Sequence, residues 1–316
     1  DPHGAEEPRP EAWVLAPQYR HQDQGDEEHA ADPGDGRHEM KPPEQERHRR
    51  EHSTALRRGG RPTPGTARAE FWTERTVAWY ERANEESDYA ACVLGALGPA
   101  LDGCRDALDV GAGFGALALP LARRLEAVTA LEPSAAMADA LRAGAASAGL
   151  ANVTVIEARW GEAPVGPHDL VLCAHVGGLL DGNSPFLREA GATARRLVAF
   201  VRDLPAGPDD DKFFYRELYP ALLGRPYEHR CRADDTVAGL ERLGIHPTVT
   251  PIEYSSDQPF DSLEEACDFW MTYMGLEGPE PRDYLRRYLA GRLVRRGEEW
   301  IAPFRKRAAV IAWQVR

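Results

Sequence analysis

Residues 108–122 read LDVGAGFGALALPLA. An apolar run carrying an acid, Asp109, passes into three alternating glycines, Gly111, Gly113 and Gly115, and then into an apolar helical pattern. This is the signature of a strand, a bare turn and a helix. Glycine permits positive φ and lets a ligand approach the backbone closely. At such a turn in an open α/β sheet, ligands dock beyond the carboxyl ends of the strands.

The flanking sequence continues the alternation. DALDV, AVTALE, NVTVIEA, DLVLCAHV and LVAFVRD read as strands. GALALPLARRL, SAAMADALRAGAASAG with Ser134 as N-cap, and SPFLREAGATARRL read as helices between them. The pattern predicts a doubly wound, mostly parallel sheet covered by helices on both faces. A helical cover over 71–98 precedes it, punctuated by Gly98-Pro99. After Asp203 the rhythm loosens. A helical insertion near 208–232, the helix ADDTVAGLERLG and the strand HPTVTPIEY come first. Two further helices, SLEEACDFWMTYMGL and PRDYLRRYLAGRLVRR, fill an insertion near 258–300, and RKRAAVIAWQVR closes the chain as a strand.

Residues 1–68 are crowded with Pro, Gly, Glu, Arg and His and have too little apolar surface to offset the entropy of ordering, which predicts a disordered tail. Its histidines, His21, His29, His38, His48 and His52, have no ordered frame to hold a metal. The working domain is therefore expected over 69–316, with a ligand-binding core at 104–203.

Composition narrows the function. A net charge of −13 argues against a nonspecific grip on nucleic acid, which needs clustered Lys and Arg. The five cysteines, Cys92, Cys104, Cys173, Cys231 and Cys267, are widely spaced and form no CxxC, so no zinc site or disulfide framework is expected. No apolar run is long enough for a membrane span and no signal pattern opens the chain, which points to the cytoplasm. The oligomeric state is left open.

Two cofactor classes fit the loop. Gly111, Gly113 and Ala116 satisfy the dinucleotide pattern G-x-G-x-x-A, with Glu132 positioned for a ribose. Three features favour the other class: Asp109 two residues before the first glycine, the third alternating glycine, and the long helix ahead of the first strand. DVGAGFG followed by ALEPS resembles the class I S-adenosylmethionine-dependent methyltransferases over about 71–203 and the closing strand. The resemblance implies a Rossmann-like, seven-stranded sheet whose last strand is antiparallel. It implies S-adenosyl-L-methionine as cofactor, with Asp109, Gly111, Gly113 and Gly115 around its methionine portion and Ala112 and Pro133 among the cofactor-binding residues. Glu132 matches the ribose-binding position. A carboxylate only accepts hydrogen bonds and a vicinal diol offers two donors, so the chemistry agrees. In the third motif the family often places an acid facing the adenine. Here Ala158-Arg159-Trp160 stands instead, so Arg159 either stacks or leaves the contact to a backbone carbonyl, and Trp160 is either an adenine platform or core.

The strand DLVLCAHV ends at Ala174-His175, where the resemblance puts the transferable methyl group. Imidazole titrates near neutrality, which makes His175 the candidate general base, with cofactor or substrate contact and a structural role as alternatives. Cys173 reads as core. Two aromatic segments could wall the acceptor: Phe213, Phe214, Tyr215, Tyr219 and Tyr227, and Phe260, Phe269, Trp270, Tyr273 and Met274. Phe269, Tyr273 and Leu276 form one helical stripe, a pattern that serves core packing as well as binding. Arg282, Arg286, Arg287, Arg292, Arg295 and Arg296 would spread around a solvated helix. The expected activity is methyl transfer to a small-molecule acceptor. RNA or protein methylation, or cofactor binding without catalysis, are the alternatives.

Overall fold

The computed structural model describes residues 71–204, 212–227 and 233–315. The expected disordered tail, Cys231 and the ends of the insertion near 208–232 lie outside the described residues.

Seven strands form the main sheet: β1 Asp106–Val110, β2 Ala127–Leu131, β3 Val153–Ile156, β4 His168–Ala174, β5 Ala194–Asp203, β6 Thr248–Ser255 and, last in the chain, Arg305–Gln314. Two short strands, β7 Gln258–Phe260 and β8 Val294–Arg296, join β9 Glu299–Ala302 in a separate antiparallel sheet, so the last strand of the main sheet is β10. The main sheet runs in the order β3-β2-β1-β4-β5-β10-β6. Strands β1 to β5 pair in parallel, and β10 is antiparallel to both of its neighbours, as expected.

Eight α-helices of five or more residues accompany the strands among the described residues. They are α1 Glu74–Glu85, α2 Tyr89–Leu97, α3 Ala118–Ala122, α4 Ala135–Ser147, α5 Phe186–Thr193, α6 Ala233–Arg242, α7 Leu263–Met274 and α8 Pro279–Ala290. Short helical turns also occupy 212–223. The segment over 71–98 is broken at Glu86–Asp88 into α1 and α2. Ser134 caps α4 as expected, accepting from the Met137 N–H. In α3, Pro120 is the third helical residue, where its missing N–H would have had no helical partner.

The sheet separates two apolar layers, as a period-2 strand requires. Ala107, Ala130, Leu170, Leu172, Ala199, Val201 and Val310 pack with α2 and α3 on one face. Leu108, Val110, Val171, Cys173, Val198, Phe200 and Ile311 pack with α5 and α6 on the other. Cys173 is wholly buried, consistent with core. A third apolar cluster joins Trp79 of α1 to Phe213, Tyr215, α7, α8 and the small sheet.

Two helix expectations run too far. SPFLREAGATARRL ends as helix at Thr193, because residues from Ala194 onward take up parallel pairing with β4. Arg195 there pairs with Asp106 and Asp169 at the base of β1 and β4. PRDYLRRYLAGRLVRR ends as helix at Ala290, before Gly291, and its tail becomes β8 against β9. Its arginines therefore do not share one helix. Arg282, Arg286 and Arg287 are on α8, Arg292 follows it, and Arg295 and Arg296 lie on β8.

Candidate active site

The same period-2 rule that splits the core also assembles the site. Asp109, Ala174 and Asp203 share the α2 face of the sheet at the carboxyl ends of the adjacent strands β1, β4 and β5. Asp109 is 2% exposed, an unusual place for a carboxyl group. Burial lifts its pKa to about 7, with the charge of Glu132 adding to the effect and the Ala118 N–H opposing it.

The glycine loop is held from below. The N–H groups of Gly111 and Ala112 both donate to the Leu131 carbonyl at the end of β2, at 2.7 and 3.2 Å. Gly111 has φ +74°, and a Cβ there would run into Cγ2 of Val176 in the loop after β4. Only glycine lets those two loops approach so closely. Glu132 is buried at the next position, where it accepts from the Gly113 N–H at 2.9 Å and the Ser134 N–H at 2.8 Å. Burial raises its pKa, and those two N–H groups work against the rise. Pro133 beside it is exposed.

His175 follows β4 with φ +57°, an uncommon conformation for a residue with a side chain. Its own N–H is bonded to the Val201 carbonyl at 2.9 Å. Nδ1 stands 3.2 Å from Oδ1 of Asp203. Nε2 is buried and has no hydrogen-bond partner among the described residues. The His175 ring is 5.7 Å from that of Tyr89 on α2, and Tyr89 is 4.8 Å from Tyr254 on β6. The Tyr89 hydroxyl is likewise buried without a partner among the described residues. Burial holds its pKa well above the usual phenol range, with Tyr254, Asp109 and Asp203 adding to the rise.

Above the loop, Phe114 meets Tyr80 of α1 at 6.5 Å, and Tyr80 stacks on Tyr273 of α7 at 6.2 Å. Tyr273 stacks in turn on Phe269 at 4.1 Å and lies 5.7 Å from Phe213. A continuous aromatic chain thus links the glycine loop to the insertion. Phe269 and Trp270 are fully buried, so most of the stripe in α7 is core, and Tyr273 is its outward edge.

Arg159 and Trp160 do not converge on the two acids as directly. Arg159 is exposed, its N–H bonded to Glu162, although its charge reaches Glu132. Trp160 packs edge-on against Phe186 of α5 at 4.9 Å and donates its indole N–H to Glu189 at 2.7 Å. The site residues that sequence reading missed are Asp203, Tyr89, Tyr254, Tyr80 and Phe114. Asp203 had a signal, since LVAFVRD ends in an acid just as DALDV carries one. Tyr89 repeats with Val93 and Leu97 at helical spacing, which reads only as core.

Residues 107–198, which span this loop, β4 and the start of β5, match the profile of a family described as a methyltransferase domain. This match places a methyltransferase domain in residues 107–198. S-adenosylmethionine is the cofactor of the class I methyltransferases that the glycine loop resembles. No curated protein matches the chain. Among solved structures, the methyltransferase domain is similar to a protein of Bacillus halodurans C-125 provisionally named a methyltransferase, at 17% identity over 71% of this chain and 97% of the other, TM-score 0.45. A protein of Anaeromyxobacter dehalogenans provisionally named a type II methyltransferase matches at 22% over 72% and 96%, TM-score 0.45. Magnesium protoporphyrin IX methyltransferase of Synechocystis PCC 6803, with bound SAH, matches at 13% over 85% and 94%, TM-score 0.38.

The residues of this site fit S-adenosylmethionine chemically. Each Glu132 oxygen accepts one N–H and has a lone pair left over, which suits a diol. Among the described residues no cation stands beside the buried carboxyl of Asp109, which suits a ligand carrying positive charge. Among the described residues no helix is long and apolar enough to cross a membrane.

Proposed function

We propose that residues 69–316 act as one domain that transfers a methyl group to a small-molecule acceptor by in-line displacement. The insertions near 208–232 and 258–300 would form its cover. The observation that carries this reading is the aromatic chain Phe114–Tyr80–Tyr273–Phe213, which runs from the glycine loop after β1 to the insertion. An aromatic wall that begins at the glycine loop suits a small acceptor better than an RNA or protein surface.

The arginines support the same reading. Arg282 and Arg286 pair with Glu264, Arg292 with Glu217, and Arg296 with Glu86 and Asp257. Charges spent on internal pairs offer little to a phosphate backbone.

In this reading Gly111, Ala112, Gly113, Gly115 and Asp109 surround the methionine portion of the cofactor, and Glu132 with Pro133 takes the ribose. Arg159, Trp160 and Ala174 border the adenine and the methyl. S-adenosylmethionine, when bound, supplies a methyl group already activated on a sulfonium sulfur. What remains for the chain is alignment of acceptor, methyl carbon and sulfur, which can contribute on the order of 7 kcal/mol or more. His175 acts as the base that takes the acceptor's proton through Nε2. Glu132, Asp203 and, once the sulfonium draws off its proton, Asp109 make the site negative, which favours a sulfonium and disfavours an anionic acceptor.

The test is calorimetry with S-adenosylmethionine and S-adenosylhomocysteine, followed by transfer of labelled methyl to a small-molecule filtrate of a cell extract and to extracted RNA. The expected result is binding of both nucleosides and label only in the filtrate. No heat with either nucleoside, or label chiefly in RNA, would overturn it.

A further inference from the structure

We infer that the methyl acceptor is an oxygen nucleophile, a phenol-type hydroxyl held between Tyr89 and His175, with Asp203 as the positioning residue that fixes the His175 tautomer. The inference rests on the methyl-transfer reading above and names the acceptor class for that same site.

The geometry begins at Asp203. A carboxylate only accepts, so the 3.2 Å contact puts the imidazole proton on Nδ1 and leaves the lone pair on Nε2. Nε2 is buried and unpartnered among the described residues, and so is the Tyr89 hydroxyl, whose ring lies 5.7 Å away. Unsatisfied buried polar atoms are costly, and two in adjacent rings call for a shared partner. The pair is one acceptor, Nε2, and one donor, the Tyr89 O–H. Tyr89 stays protonated, because burial and the neighbouring carboxylates oppose its ionisation.

One donor and one acceptor select among nucleophiles. A hydroxyl gives its proton to Nε2, accepts from Tyr89 with one oxygen lone pair, and keeps another for the methyl carbon. A neutral amine has a single lone pair, and a hydrogen bond from Tyr89 would occupy the electrons that must attack. A phenol, with a pKa of about 10, lies within reach of an imidazole base, whereas a hydroxyl as weakly acidic as water does not. The ring faces of Tyr89, Tyr254 and His175 suit an aromatic carrier.

The step balances. The acceptor O–H bond breaks and its proton goes to Nε2. The O–C bond forms as the C–S bond breaks, and that electron pair stays on sulfur. The products are a methyl ether, a neutral thioether and an imidazolium facing Asp203, which returns its proton to water.

Two measurements test it on the whole chain saturated with S-adenosylhomocysteine. In nitrogen NMR, the His175 signals, identified by their loss in His175→Gln, should show the proton on Nδ1, and Asp203→Asn should redistribute it toward Nε2. In binding titrations, 2-naphthol should bind at least tenfold more tightly than 2-naphthylamine, and Tyr89→Phe should erase most of that difference. A proton resting on Nε2 in the unaltered protein, equal affinity for the two probes, or binding of neither by protein that holds S-adenosylhomocysteine would overturn the inference. Failure to bind S-adenosylhomocysteine would overturn the methyl-transfer reading, and this inference with it.

Discussion

Glu132 stands close enough to Asp109 for its charge to add to the burial that lifts Asp109 to a pKa of about 7. A carboxyl raised this way carries its proton in the folded state, while the unfolded chain releases it near 3.8. Stability therefore falls as pH rises from about 4 through about 7, since the folded state binds the extra proton. Asp109→Asn removes that dependence. It is expected to raise stability over the natural chain by on the order of a few kcal/mol at about pH 8, and by little near pH 4. Urea unfolding at the two pH values checks this, and a difference independent of pH would count against the buried acid.

Binding should draw the proton off the same group. A cationic cofactor beside Asp109 favours its ionised form. Calorimetry below about pH 7, in two buffers of different ionisation enthalpy, is expected to show release of up to one proton as S-adenosylmethionine binds. Asp109→Asn should abolish the release and weaken binding more than tenfold.

The glycines of the loop should not be equivalent. Gly113→Ala meets only positive φ, because its Cβ would find Met137 Sδ at 3.9 Å, and is expected to cost about 1–2 kcal/mol. Gly111→Ala adds collision with Val176 and is expected to cost more than about 2 kcal/mol. Thermal unfolding of the two variants gives the order directly, and the reverse order would mean that the loops do not approach as described.

Trp160→Phe separates two roles of the indole. Losing the bond to Glu189 is expected to cost about 1 kcal/mol of stability with cofactor affinity unchanged. A tenfold loss of S-adenosylhomocysteine affinity would instead put the ring against the adenine.

Much of the fold was legible because strands and helices announce themselves by period. The alternation from DALDV to LVAFVRD carried the parallel sheet, and the bare turn carried the loop between β1 and α3. The misreadings fell where local pattern met longer-range pairing. Ala194–Leu197 follows a helical run without a stop signal, and only parallel pairing with β4 makes it strand. The strands β7 to β9 are three or four residues each, too short to show a period, and their sheet exists only through mutual pairing.

The chain by itself determined the glycine turn, the two acids Asp109 and Glu132, and the histidine after the fourth strand, since each depends on residue type at a fixed place in a local element. Tertiary structure alone decided that Asp203 meets His175, that Tyr89 lies beside His175 and that Tyr254 packs on Tyr89. Those partners are separated by 28 to more than 160 positions in the chain, and no local period encodes which face of which strand end a distant helix will cover.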